Sequence, residues 1–150
     1  MKRVVLEQRL GFHATVCADG TPNLSPKGTT TVYDDEHLCF GEIRSPGTIE
    51  NLRANPAIEV NVVDPIARKG YRFKGTATIH EGDDVYRRGL DRLRERDYGA
   101  YEERVRAIVL IRVERAEPLT SPAYDDGHTE AELVRQYLGH YASLHGPATR

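Results

Sequence analysis

The sequence predicts an α+β domain built on a small antiparallel β-barrel of six strands with peripheral helices. Three observations favour this class. Short runs of alternating apolar residues follow one another closely, hairpin and turn signals such as Asp19-Gly20 separate them, and only two or three helical patterns lie at their periphery. A length of 150 residues suits one domain, which we expect to span residues 1–150.

The first three strands are predicted to form an antiparallel meander. Residues 12–17 alternate between apolar and more polar side chains, which is typical of a strand with one buried face. After Asp19-Gly20, the partner run spans residues 23–33 and is rich in Thr and Val; Pro26 within it favours a sheet edge or a bulge. A polar turn then leads to a third strand over residues 37–43.

A short helix interrupts the strands. Ser45 is a suitable N-cap and Pro46 suits the first helical position. The helix is expected to end at Asn55-Pro56, because a residue before proline avoids the α region. Two further strands follow, over residues 58–63 and 71–79.

The remaining elements are two helices and a strand. Residues 83–98 are highly charged with a thin apolar stripe, which predicts a surface helix. The apolar run 107–113 predicts a strand buried on both faces. After a loop that contains proline, an amphipathic C-terminal helix is predicted over about residues 129–144, with a capping box at Thr129 and Glu132.

Composition argues against several classes of protein. A formal net charge of -2 at pH 7 gives no electrostatic footprint for nucleic acid or an anionic membrane. The two cysteines, Cys17 and Cys39, are too few for a disulfide scaffold and are expected to be buried free thiols. We see no signal peptide and no apolar run of 18 residues, so a cytoplasmic location is expected.

The common catalytic and metal-binding motifs are missing from the sequence. There is no GxGxxG, GxxxxGK[ST], HExxH or GxSxG, and the six histidines are scattered, so no metal site is expected. No catalytic acid, base or nucleophile can therefore be named.

Two segments suit an anion. In the first, residues 23–30, Lys27 lies among small hydroxyl residues and glycine, and its ammonium offers three donors. In the second, Arg44, Ser45 and Thr48 surround the predicted helix start, where free N–H groups and the helix dipole favour negative charge. The alternatives are an exposed strand lysine at position 27 and ordinary helix capping beside a solvated Arg44.

These segments and their neighbours resemble the pyridoxamine 5'-phosphate oxidase-like family of FMN-binding split barrels. The helix start followed by Asn-Leu-Arg-Ala-Asn-Pro at 51–56 carries most of the resemblance. It extends over about half of the chain, through residues 11–16, 19–22, 25–28, 40–42, 44–48, 60–65 and 70–77.

The resemblance implies a six-stranded split β-barrel that forms a homodimer, with two FMN sites in clefts between the subunits. It places the FMN phosphate on Lys27, Arg44, Ser45 and Thr48. Ser25, Gly28, Thr29, Gly41 and Glu42 would line the isoalloxazine ring and ribityl chain. Asn51 would steady the helix start or reach the cofactor, and Lys69 and Tyr71 would complete the site from the other subunit.

The function implied is that of an FMN-binding oxidoreductase of the short split-barrel type, acting on an unidentified small-molecule electron donor or acceptor. Pyridoxamine phosphate oxidases proper carry a longer N-terminal segment and a C-terminal Arg/His-rich motif that this sequence does not show, which argues against vitamin B6 oxidation. Two alternatives remain open: a flavin carrier or sensor without turnover, and a deazaflavin (F420)-dependent reductase that uses the basic run 68–72.

Overall fold

The computed structural model describes residues 1–146, which fold around one antiparallel sheet of seven strands. The strands are β1 (Gly11–Val16), β2 (Pro22–Lys27), β3 (Thr31–Val32), β4 (His37–Glu42), β5 (Ala57–Asp64), β6 (Lys69–His80) and β7 (Ala107–Thr120). The α-helices are α1 (Lys2–Gln8), α2 (Pro46–Ala54), α3 (Asp84–Arg94) and α4 (Glu130–Leu144), with 3₁₀ turns at Gly99–Arg104 and Pro122–Tyr124.

The strand order forces the sheet to curl. The order is β2-β1-β5-β6-β7-β4-β3, so the two outer strands are β2 and β3. Only residues 28–30 separate these strands along the chain. Four Cα–Cα steps span at most about 15 Å, whereas a flat sheet of this size would hold its outer strands about 29 Å apart. The edges must therefore meet, which makes the sheet a split barrel and confirms the predicted α+β fold class.

The core fills the inside of the curled sheet. Phe40, Val60 and Ile111 are fully buried there. Helices α1 and α2 cover this cluster with Val5 and Leu52. A second cluster, around Cys39 and Ile108, lies under α3 on the other face of β4 and β7.

The predicted second strand is divided in two, which raises the strand number from six to seven. Residues 28–30 leave the strand between β2 and β3 because two threonine hydroxyls form hydrogen bonds with backbone groups there. Thr29 Oγ1 donates to Gly41 O at 2.9 Å, and Thr30 Oγ1 donates to Lys27 O at 2.8 Å.

Strand β1 buries the polar side of its alternating pattern. His13 and Thr15 are 0% and 2% exposed, whereas Phe12 and Val16 are 41% and 37% exposed on the outer face. The alternation with a period of two correctly predicts the strand. It does not identify the buried face, because the apolar side chains lie on the outer face. The outer face is apolar without being covered by this chain.

Three other elements differ from the sequence prediction. Strand β7 continues to Thr120, where a loop was expected, because it pairs with the whole of β6. Pro118 is tolerated because β4 pairs only with residues 107–112, so this part of β7 needs no donor on that side. Helix α3 ends at Arg94 rather than near residue 98, and α1 was not predicted.

Helices α2 and α4 lie where the sequence places them. Helix α4 begins after Thr129, and the capping box with Glu132 is present in full. Cys39 is buried, and burial raises the pKa of its thiol to about 12, whereas Cys17 is only partly buried. Within residues 1–146, no helix has the length and apolar character needed to cross a membrane.

Candidate functional site

An open pocket of about 450 Å³ lies at the seam where the two edges of the barrel meet. Its walls are formed by β2 and the following turn, the β4–α2 connection and the segment after α3. Six lining residues are among those that the resemblance implies for FMN, namely Ser25, Lys27, Gly28, Thr29, Arg44 and Ser45. The lining also includes Pro26, Ile43, Tyr98 and Tyr101.

Lys27 contributes a buried ammonium group to this pocket. It is the last residue of β2 and is only 7% exposed. Its Nζ donates to Ser25 Oγ at 2.7 Å and to Ser45 Oγ, and lies 5.4 Å from the centre of the Phe40 ring. Burial lowers the pKa of Lys27, and the charge of Glu42 opposes that shift. Within residues 1–146 no carboxylate pairs directly with this ammonium, so the pocket holds a cation without a counterion in contact.

Helix α2 begins beside this ammonium. Ser45 is its N-cap, and both the N–H and the hydroxyl of Ser45 donate to Oε1 of the buried Glu42. Because the same hydroxyl accepts from Lys27, the three residues link the end of β2 to the end of β4. The first-turn N–H groups and the positive end of the helix dipole favour an anion at this point.

Arg44 and Gly28 are exposed where the pocket opens to solvent. Arg44 immediately precedes the N-cap of α2. A guanidinium at this position can turn toward an anion at the helix start and bind it with two N–H groups. Gly28 follows Lys27 and brings backbone rather than side chain to the rim of the pocket.

Thr29 and Gly41 hold the seam together behind the pocket. The Thr29 hydroxyl donates to Gly41 O and accepts from Gly41 N–H at 3.1 Å. A Cβ at Gly41 would lie 2.9 Å from Leu93 Cδ1 and 3.2 Å from Val105 Cγ2, so this glycine admits the close packing of α3. Gly41 is not part of the pocket lining, and its predicted contact with the isoalloxazine ring stays a prediction.

Thr48 and Asn51 position helix α2. Thr48 is 2% exposed, and its N–H donates to Ser45 O at 3.0 Å. The Asn51 amide donates to Thr15 Oγ1 at 3.0 Å, which ties the helix to β1. Of the two roles predicted for Asn51, this contact is the one that steadies the helix.

Lys69 and Tyr71 lie outside this pocket. Lys69 donates to Glu130 at 2.6 Å and its Nζ lies over the Tyr124 ring, whereas Tyr71 packs beside Phe73 in the core. Their assignment to the partner's site stays a prediction. The rest of the basic run is also engaged, since Arg72 pairs with Glu117 and Glu59 and Arg68 stacks on Tyr137.

Tyr98 and Tyr101 are pocket residues that the sequence reasoning missed. The charged pattern predicts residue 98 at the end of a long helix, but α3 stops at Arg94 and Asp97 adopts a left-handed φ of 63°. The chain then forms the 3₁₀ turn, which carries Tyr101. The signal available in the sequence was Gly99 between two tyrosines, directly after the charged stretch.

Comparison with known proteins agrees with this architecture. The family model for pyridoxamine 5'-phosphate oxidase matches residues 1–120. The crystal structure of HupZ from Group A Streptococcus is 32% identical, with 81% of this chain and 92% of that chain covered and a TM-score of 0.71. A provisionally assigned pyridoxamine 5'-phosphate oxidase from Lactobacillus delbrueckii is 30% identical, with 76% and 88% covered and a TM-score of 0.62. No curated protein matches the sequence significantly.

More distant structures share the fold alone. An FMN-binding protein from Syntrophomonas wolfei is 13% identical, with 80% of this chain and 84% of that chain covered and a TM-score of 0.65. An F420 reductase (24% identity) and the heme storage protein HutZ from Vibrio cholerae (20%) have TM-scores of 0.61 and 0.64. The fold is therefore compatible with more than one cofactor. The match over residues 1–120 shows that the chain belongs to the pyridoxamine 5'-phosphate oxidase family of split-barrel proteins.

Proposed function

We propose that this protein binds FMN in the seam pocket and uses it as an oxidoreductase. The observation that carries the proposal is the buried Lys27 ammonium, which faces the first turn of α2 and has only hydroxyl groups as direct hydrogen-bond partners within residues 1–146. Burying a cation without a counterion costs free energy. A bound phosphate in this position would offset that cost, and it would also satisfy N–H groups at the helix start.

The surrounding groups fit a phosphate ester. Ser25 and Ser45 present hydroxyls on either side of the ammonium, and Arg44 lies at the opening of the pocket. Glu42 is a negative charge close by, but it is held by Ser45 and keeps that hydroxyl oriented. Lys27, Arg44 and Glu42 together therefore carry a net charge of one positive unit.

The pocket also offers surfaces for a flat ring. Tyr98 and Tyr101 form one wall, and the backbone around Gly28 forms another. Its volume of about 450 Å³ lies within the range of small-molecule sites. When bound, FMN would supply electron transfer, while the protein would hold the phosphate, orient the ring and limit access of water.

The test is a pair of titrations on the purified protein, one with FMN and one with riboflavin. The two ligands differ only by the phosphate, so we expect FMN to bind at least 10-fold more tightly, in line with one charge-assisted hydrogen bond of about 1.5–3 kcal/mol. A flavin spectrum in the purified protein would agree with this. Equal affinities, or co-purification of heme or a deazaflavin in place of FMN, would reject the proposal.

Turnover requires a second measurement, because a flavin carrier would bind in the same way. The bound flavin is reduced without oxygen, and candidate acceptors are then added one at a time. Rapid reoxidation by one class of acceptor supports an oxidoreductase. If no acceptor reoxidises the bound flavin faster than it reoxidises free reduced FMN, the protein is a carrier or sensor.

We also propose that the protein is a homodimer in which a second copy covers the outer face of β1 and β2. Phe12, Val16 and Leu24 are 41%, 37% and 65% exposed on this face, and Leu24 lies opposite Ala14 in the strand register. An apolar patch of this kind on an edge of the sheet is typical of an interface. It would place the second copy beside β2, the strand that also carries Lys27.

Leu24→Arg is expected to convert this dimer to a monomer, because it would bury an unpaired charge at the interface. Leu24 is exposed in the single chain, so the substitution should leave the fold intact. Light scattering gives the mass of each variant. Leu138→Arg is the control, since Leu138 is 53% exposed on α4, an element separate from β1 and β2. A Leu24→Arg variant with the same mass as the wild type would contradict this interface.

A further inference from the structure

His13 is 0% exposed and lies close to Lys27, the cation of the seam pocket, without lining the pocket itself. It belongs to the inner face of β1, and its Cα pairs with that of Ser25 on β2. Its Nε2 lies 2.8 Å from Thr30 Oγ1. The same Thr30 hydroxyl donates to the carbonyl oxygen of Lys27 at 2.8 Å.

These two contacts show which nitrogen of the imidazole carries a proton. The Lys27 carbonyl can only accept, so the single hydroxyl proton of Thr30 points toward it. Thr30 Oγ1 must then accept from His13, which places the ring proton on Nε2. Nδ1 is left as a buried acceptor without a hydrogen-bond partner in the described part of the chain. Burial, helped by the charge of Lys27, lowers the pKa of His13 to about 3, so the ring is neutral at neutral pH.

The ring also reaches the ammonium end of Lys27, through Phe40. His13 meets the Phe40 ring edge-on at 4.6 Å between ring centres. Phe40 also contacts Lys27, whose Nζ lies 5.4 Å from its ring centre. The imidazole is therefore linked to the backbone of Lys27 through Thr30 and to its ammonium group through Phe40.

Gly11 leaves the space that this arrangement needs. A Cβ at position 11 would lie 2.8 Å from His13 Nε2 and 2.7 Å from Thr30 Oγ1. A larger residue would separate the histidine from the threonine.

We propose that His13 is a positioning residue for the phosphate pocket: through Thr30 and Phe40 it fixes Lys27 where its ammonium meets the cofactor phosphate. This inference rests on the proposed FMN function. A buried histidine would thereby contribute to the preference for FMN over riboflavin without contacting either flavin.

The test compares His13→Gln with His13→Asn. The glutamine amide reaches the position of Nε2 and can still donate to Thr30, whereas the shorter asparagine amide reaches only the position of Nδ1. We expect His13→Asn to weaken FMN binding by about 5- to 10-fold, in line with the loss of one hydrogen bond. Riboflavin binding should not change, and His13→Gln should keep the wild-type ratio of FMN to riboflavin affinity.

Thr30→Val provides an independent variant, because it removes the same hydrogen bond from the other side. It should lower the affinity ratio as His13→Asn does, and combining the two should add little further loss. A purely structural role predicts otherwise: the melting temperatures fall while the ratio stays at the wild-type value, and that result would overturn the inference. If the wild type itself shows no preference for FMN, the proposed function fails first.

Discussion

Lys27→Met is expected to weaken FMN binding by about 10- to 150-fold while leaving riboflavin binding unchanged. The substitution removes a charge-assisted hydrogen bond to the phosphate, worth roughly 1.5–3 kcal/mol, and riboflavin does not use that contact. Methionine is unbranched and only one atom shorter than lysine, so the packing over Phe40 can persist. Titration of both flavins on the variant gives the result directly.

The same substitution should have the opposite effect on the stability of the cofactor-free protein. Burial lowers the pKa of Lys27, which means that the side chain holds its proton less firmly in the folded chain than in the unfolded chain. Replacing this cation by a neutral side chain removes a cost of folding, so the midpoint of urea unfolding should stay the same or rise. If Lys27 stabilised the fold, the substitution would instead lower the midpoint of urea unfolding.

Lys74→Met is the matched control for this experiment. Lys74 lies on β6, is 56% exposed in its side chain and pairs with Glu59 at 3.4 Å. Its loss should change neither flavin affinity by more than a small factor. If Lys27→Met bound FMN as tightly as the wild type, the phosphate would have to lie elsewhere.

Folding stability is expected to fall by about 2 kcal/mol between pH 7 and pH 5 because of His13 alone. The pKa of this ring is about 3 in the folded protein and 6.5 in its ordinary state. Between these values the unfolded chain binds one more proton than the folded chain, so acid favours unfolding. Above pH 6.5 both states are neutral at this site and the effect vanishes. The loss grows toward pH 3, at about 1.4 kcal/mol per pH unit.

Urea unfolding at several pH values, with His13→Gln in parallel, measures this contribution. Glutamine does not titrate, so the variant should lose less stability than the wild type over the same range. Carboxylates contribute equally to both proteins, and most of them titrate at lower pH. Identical pH profiles for the two proteins would show that His13 has the same pKa in the folded and the unfolded states, which would contradict a buried, neutral ring.

Local signals in the sequence predicted the elements that depend on local chemistry. Ser45-Pro46 and Asn55-Pro56 bracket α2, and Thr129 with Glu132 opens α4, because caps and prolines act on the backbone next to them. The candidate anion site could be proposed from the sequence for the same reason, since it combines a helix start with one lysine. The resemblance to a family added the expectation of FMN as cofactor.

Features that depend on distant partners were not predictable in this way. The buried face of β1 carries His13 and Thr15 because the partners of those side chains, Thr30 and Asn51, come from other parts of the chain. Strand β7 continues to Thr120 only because β6 is long enough to pair with it. Tyr98 reaches the pocket because α3 ends early, and nothing in a charged helical pattern marks which turn is the last.

The three-residue link between the outer strands has a consequence for the order of folding. Lys27 and Thr31 belong to opposite ends of the sheet, so residues 28–30 reach their final geometry only after β1, β5, β6, β7 and β4 have aligned between them. The pairing of β4 with β7 joins residues some 70 positions apart, such as Cys39 and Leu110, and contacts of this separation form slowly. Closure of the seam is therefore expected to be a late event, and the seam pocket would exist only in chains that have completed it. Uptake of the cofactor during refolding would report the final step of folding, after the burial of the core.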